Sequence, residues 1–133
     1  MMNTENHNWS GKTILVVEDV DSSRRYFEAA LKLTKANLLY AKNGKEAIDI
    51  INDNSKKIDL VLLDIYLPMI NGIEVLKHIR KINAHIPVIV QTAYTGYHNE
   101  EEAFDAGANI FLAKPVSLSS LYQEIEVLLY PAP

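Results

Sequence analysis

The chain has 133 residues, of which 48% are hydrophobic, 23% charged and 8% aromatic, enough for one compact core and too few for two. Thirteen Lys and Arg stand against 17 Asp and Glu, and the resulting formal charge of -4 is the wrong sign for holding nucleic acid by phosphate neutralisation. The absence of cysteine excludes disulfides, thiolate metal sites, iron–sulfur clusters and cysteine nucleophiles.

Residues 1–11 are polar, with no basic segment followed by a hydrophobic one, and read as a tail or linker rather than a secretory signal. No apolar run is long enough to span a bilayer, so a cytoplasmic protein without membrane insertion is expected. The first strand is predicted at Thr13-Ile14-Leu15-Val16-Val17, followed by a helix carrying Phe27, Ala30 and Leu31 at helical spacing. Leu38-Leu39-Tyr40-Ala41 gives a second strand, and Asn43-Gly44 turns into a helix with Ala47, Ile50 and Ile51. The third strand, Ile58 to Leu63, is the most continuously apolar, and Pro68 with Asn71-Gly72 leads into a helix striped by Val75, Ile79 and Ile82. Pro87 to Gln91 gives a fourth strand. After the turn signals at Gly96 and Gly107 comes a fifth, Ile110-Phe111-Leu112. The last helix carries the stripe Leu118, Leu121, Tyr122, Ile125, Leu128 and Leu129, with Ser117 at its start and Pro131 closing it.

Runs that are continuous rather than alternating suit strands buried on both faces. Strict β-α alternation with right-handed crossovers then predicts an α/β fold, a doubly wound five-stranded parallel sheet with helices on both faces. In such folds function gathers at the carboxyl ends of the strands. Those ends carry Glu18 and Asp19, then Asp64, Thr92, and Lys114-Pro115. Three carboxylates facing one lysine either rise in pKa or hold a cation, and an oxygen-only donor set favours Mg²⁺, with Mn²⁺ as a substitute. A bound cation, the Lys114 ammonium and the Thr92 hydroxyl around Asp64 are the parts that stabilise phosphoryl oxygens while a carboxylate attacks phosphorus. Asp64 is the best nucleophile because its strand is the most hydrophobic. Taken singly, each of these residues has an ordinary structural explanation; their joint position at strand ends is the signal.

The residues Ile14-Leu15-Val16-Val17-Glu18-Asp19, Asn43-Gly44-Lys45-Glu46-Ala47, Leu62-Leu63-Asp64-Ile65-Tyr66-Leu67-Pro68-Met69, Asn71-Gly72, Thr92-Ala93, Ala106-Gly107-Ala108 and Phe111-Leu112-Ala113-Lys114-Pro115 together resemble the receiver domain of two-component response regulators. The resemblance runs from Lys12 to Leu129. It divides the chain into a tail or linker (1–11), a receiver domain (12–130) and a C-terminal tail (131–133), and it implies the flavodoxin-like strand order 2-1-3-4-5. By that resemblance Asp64 accepts a phosphoryl group from a histidine kinase or a histidine phosphotransfer protein. Asp19, Asp64 and the Tyr66 main-chain carbonyl ligate Mg²⁺, and Glu18 acts through water. Lys114 contacts the phosphoryl group, Thr92 swings toward it, and Phe111 is the switch aromatic. The change is passed to a downstream protein target through helix 4, strand 5 and helix 5. The Lys114-Pro115 bond is often cis in the family.

Tyr66 and Tyr94 are expected to place an aromatic on each side of the phosphoryl site and to screen it from water. Tyr94, Tyr97 and Phe104 serve either as core or as a partner surface. His7, His78, His85 and His98 read as solvated, with His98 in a loop. Asp21-Ser22-Ser23-Arg24-Arg25 lacks an asparagine found there in many receivers, and Asn109-Ile110 replaces an acidic pair. Asn8-Trp9-Ser10-Gly11-Lys12 looks similar to linkers that precede receivers in hybrid kinases. A stand-alone regulator, a phosphorelay shuttle and a receiver from a larger protein are therefore alternatives. A phosphohydrolase of the haloacid dehalogenase type would need a second acid where Tyr66 stands. A flavodoxin-like carrier would need an anion-binding loop where Glu18-Asp19-Val20-Asp21 would repel phosphate. A docking scaffold would have lost one of the site residues.

Overall fold

The structure is a computed structural model, described here for residues 7–53 and 57–133. Five strands alternate with five helices: β1 (Thr13–Val17), α1 (Asp21–Lys32), β2 (Asn37–Ala41), α2 (Gly44–Asn52), β3 (Leu60–Leu63), α3 (Gly72–Ile82), β4 (Val88–Thr92), α4 (Tyr97–Ala106), β5 (Ile110–Ala113) and α5 (Leu118–Leu129). All pair in parallel in the order β2-β1-β3-β4-β5. The doubly wound sheet and its order are those expected from the sequence.

The continuous apolar runs split by parity onto two faces, because successive strand side chains point to opposite sides. Leu15, Val17, Val61, Leu63, Val88 and Val90 pack with Ala47, Leu76, Ile79 and Ala103 from α2, α3 and α4. Ile14, Val16, Leu60, Leu62 and Ile89 pack with Phe27 and Leu31 of α1 and with Leu121, Tyr122 and Ile125 of α5. β1, β3 and β4 are thereby covered on both faces, whereas the outer strands β2 and β5 are largely half-buried. Helix starts follow side-chain capping: Asn43, Asn71 and Ser117 accept from the amides of Glu46, Glu74 and Ser120. Ser117 therefore begins α5 where the sequence placed it. Ile82, expected on the apolar stripe of α3, is instead at its exposed end.

Two further expectations need correction. His98 lies in the first turn of α4 and not in a loop, because Gly96 rather than a residue beyond it caps that helix. The polar tail read over 1–11 does not persist to Gly11. Trp9 is completely buried in the α1–α5 core; its amide donates to the Thr34 carbonyl at 2.7 Å and its indole N–H to Glu126 Oε1 at 2.7 Å. His7, half-buried, stacks at 5.0 Å on Tyr122 and shares Glu126. One large apolar ring with a donor to satisfy is enough to draw a polar segment onto the domain. Residues 1–6 of the expected tail lie outside the described residues. Among the described residues no helix is long and apolar enough to cross a membrane.

Candidate functional site

Parallel register brings the site together. Val17 pairs with Leu63, so the residues that follow them, Glu18 and Asp64, emerge side by side at the carboxyl edge. Thr92 pairs with Ala113 and accepts the Lys114 amide at 2.8 Å, which fixes Lys114 at the same edge. Gly72 admits the start of α3 against the end of β3. A Cβ there would stand 2.5 Å from the Asp64 carbonyl oxygen and 2.4 Å from Ile65 Cα.

Carboxylate oxygens of Glu18, Asp19 and Asp64 lie within 4.8 Å of one another. Glu18 and Asp64 are buried, and Asp19 is exposed. Lys114 Nζ bridges the buried pair, donating to Glu18 Oε1 at 2.5 Å and to Asp64 Oδ2 at 2.9 Å. Asp64 Oδ1 accepts the Tyr66 amide at 3.0 Å, and Glu18 Oε2 accepts the Val20 amide at 3.2 Å. Burial pushes the Glu18 carboxyl above its usual value against the pull of the Lys114 hydrogen bond, and the Asp64 charge adds to the rise. Burial works against the Lys114 ammonium too, but the hydrogen bonds it donates to Glu18 and Asp64 outweigh it and hold that group above its usual value. One ammonium among three carboxylates leaves surplus negative charge. With an all-oxygen donor set this close together, the residues fit a hard divalent cation.

The fully buried Thr92 has its Oγ1 accepting the Tyr94 amide at 3.1 Å, which ties it to the loop entering α4. Phe111 is half-buried, paired with Val90 across β4 and β5 and packed on the α2–α4 side. The Lys114-Pro115 bond is cis. Beside Lys114 a groove of about 620 Å³ runs along α1, walled by Ser22, Ser23, Tyr26, Phe27, Pro115 and Val116. The Tyr26 hydroxyl donates to the Val116 carbonyl across it. Met69, left-handed at φ 72°, is flanked by the Ile70 amide bonding the Pro68 carbonyl at 2.9 Å, a tight turn in the loop that follows Asp64.

The structure joins Glu18, Asp19, Asp64 and Lys114 directly and borders them with Tyr66 and Thr92. The tyrosines depart from expectation: they do not stand on opposite sides of the site. Their rings pack together at 4.2 Å, and Asn99 links them by accepting from the Tyr66 hydroxyl and donating to the Tyr94 carbonyl. Tyr94, Tyr97 and Phe104 are exposed and are not core. His85 and His98 are exposed, whereas His78 is half-buried and pairs with Asn52 at 2.9 Å. Asn109 is exposed, and its side chain accepts the Val88 amide and the Arg80 guanidinium. Sequence reasoning missed Gln91, which is fully buried and donates to Glu18 Oε1 at 3.2 Å. Its signal was an amide side chain in an otherwise apolar buried strand.

Residues 14–126 match the family model described as the response regulator receiver domain. The chain is similar to a cyclic di-GMP phosphodiesterase of Thermotoga maritima, 37% identical over 113 residues covering 85% of this chain and 30% of that protein. It therefore spans less than half the length of that relative. It is also similar to the polar-differentiation response regulator DivK of Brucella anthropi, 30% identical over 117 residues covering 86% of this chain and 94% of DivK. Among solved structures it resembles the receiver domain of a sensor histidine kinase from Pseudomonas aeruginosa, whose active-site cleft coordinates a magnesium ion. The TM-score is 0.83 and the identity 26%, covering 90% of this chain and 98% of that one.

Proposed function

The chain belongs to the response regulator receiver family, and from that premise we propose that it is a phospho-accepting signalling switch with Asp64 as the acceptor. The observation that carries this reading is the Lys114 ammonium bridging Asp64 and Glu18 inside the three-carboxylate cluster. The donor is a histidine kinase or a histidine phosphotransfer protein. An Asp64 oxygen attacks the phosphohistidine phosphorus, a P–O bond forms, the P–N bond breaks, and its electron pair returns to the imidazole nitrogen. The product stays on the chain as an acyl phosphate, so the domain acts as a switch and turns over no outside substrate.

Glu18, Asp19, Asp64 and the Tyr66 main-chain carbonyl are the groups that would hold Mg²⁺. When bound, that ion neutralises charge on the phosphoryl oxygens. Lys114 turns from Asp64 Oδ2 to a phosphoryl oxygen and keeps its positive charge there. The Thr92 hydroxyl donates to another. Since Thr92 Oγ1 is bonded to the Tyr94 amide, its movement pulls on the loop entering α4. Phe111, on the neighbouring strand, then repacks and alters the α4, β5 and α5 surface read by a downstream protein. The groove between α1 and Pro115 opens beside Lys114, which suits approach by a donor side chain. A net charge of -4 argues against direct nucleic-acid binding, and a histidine-kinase donor suits a cytoplasmic location.

Transfer from a ³²P-phosphohistidine donor tests the assignment. Label is expected on wild type, stable to acid and lost in alkali as an acyl phosphate is, and absent from Asp64→Asn. Equal labelling of the two would overturn it.

A further inference from the structure

Gln91 is a fully buried amide in an otherwise apolar stretch of strand. It sits in β4, whose other residues include Val88, Ile89 and Val90, and it is completely buried on the α1–α5 side with Ile89. Its Nε2 donates to Glu18 Oε1 at 3.2 Å, while its own Oε1 is buried with no partner among the described residues. A buried acceptor without a donor is a cost that an apolar side chain of the same length would not carry. The hydrogen bond to Glu18 is what the amide provides in return.

That bond lands on a shared oxygen. Glu18 Oε1 also accepts Lys114 at 2.5 Å, and Glu18 Oε2 accepts the Val20 amide at 3.2 Å. Of the three donors, only Lys114 is on a flexible stem with a second task at the phosphoryl group. When the ammonium turns away, Oε1 of a fully buried carboxylate keeps one donor, the amide anchored in the central part of the sheet. We propose that Gln91 is a positioning residue: it holds Glu18 in its orientation toward the divalent cation, acting through Glu18 and touching neither the cation nor the phosphoryl group. This inference rests on the reading of Glu18, Asp19 and Asp64 as the cation site.

The test is a calorimetric Mg²⁺ titration of the full chain, with melting in EDTA recorded in parallel. Gln91→Met keeps length and volume and removes both the donor and the unpaired acceptor; Gln91→Leu is run alongside in case the thioether alone disturbs folding. Both are expected to melt at or above the wild-type temperature without metal and to bind Mg²⁺ about tenfold more weakly. In a Glu18→Gln background the Gln91 substitution should produce no further loss, since its route is then already cut. Unchanged Mg²⁺ affinity, or a loss of equal size with and without Glu18, would overturn the proposal and leave the cation site intact. Failure of wild type to bind Mg²⁺ would overturn both.

Discussion

The rings of Tyr66 and Tyr94 touch, with centroids 4.2 Å apart and planes 42° from parallel. Each belongs to a loop that also bonds the site, Tyr66 through its amide to Asp64 and Tyr94 through its amide to Thr92. An aromatic pair contributes about 1 kcal/mol beyond its buried area, so the two loops are tied together at the rim. On that side of the site the paired rings are expected to hinder the water that attacks an acyl phosphate. A Tyr66→Asn, Tyr94→Ala variant should therefore lose its phosphoryl group about tenfold faster, equivalent to about 1.4 kcal/mol of barrier. A decay rate equal to wild type would remove the rings from that role.

In the proposed switch, Thr92 links phosphorylation to response. Thr92→Ala keeps Asp64, Lys114 and the carboxylate cluster, so it should still accept phosphoryl groups, though more slowly. The amide chemical-shift changes that wild type shows along α4, β5 and α5 on phosphorylation should shrink to about a third or less, because the tie to the Tyr94 amide is gone. Full-sized changes would mean that the signal leaves the site by another route.

Glu18 should be a liability when no cation is present. A carboxyl whose folded value lies above its unfolded one binds its proton more tightly in the native state, so stability falls as pH rises through that window. The rise here comes first from burial, starting from an ordinary value of 4.5. In EDTA at neutral pH, Glu18→Gln should thus be more stable than wild type by about 1 kcal/mol, and the gap should close below that ordinary value. The opposite ordering in chemical denaturation would show that the Lys114 pair, and not burial, dominates.

Trp9 carries a different expectation. Its side chain is fully enclosed and bonded to Glu126, so Trp9→Ala should cost about 3–5 kcal/mol in denaturant unfolding. Glu126→Gln, which leaves an acceptor for the indole, should cost about 1 kcal/mol or less. A Trp9→Ala chain as stable as wild type would mean that residues 7–11 are only loosely attached.

Much of this was legible before the structure. Continuous apolar runs mark buried parallel strands, and a parallel sheet collects strand-end residues at one edge; those two facts place Glu18, Asp64, Thr92 and Lys114 together without coordinates. What stayed hidden were single residues whose role depends on the opposite wall of the core. Trp9 has no periodicity to announce it, and partners far along the chain, Thr34, Tyr122 and Glu126 among them, hold it in the core. Gln91 looks like one polar residue at the end of a strand until Glu18 is seen beside it. Asn109 reads as a surface substitution, yet it bonds Val88 and Arg80, while the Arg80 guanidinium also closes on the Gly107 carbonyl. The pairing of Tyr66 with Tyr94 depends on loop geometry, which spacing alone does not specify.

In the proposed function Asp64 accepts a phosphoryl group with the help of a divalent cation held by its neighbours. Intact-mass analysis after incubation with acetyl phosphate tests it most directly, comparing Mg²⁺ with EDTA and wild type with Asp64→Asn. A single phosphoryl adduct that requires both Mg²⁺ and Asp64 is the predicted result. An adduct that survives in EDTA or in Asp64→Asn would contradict the account.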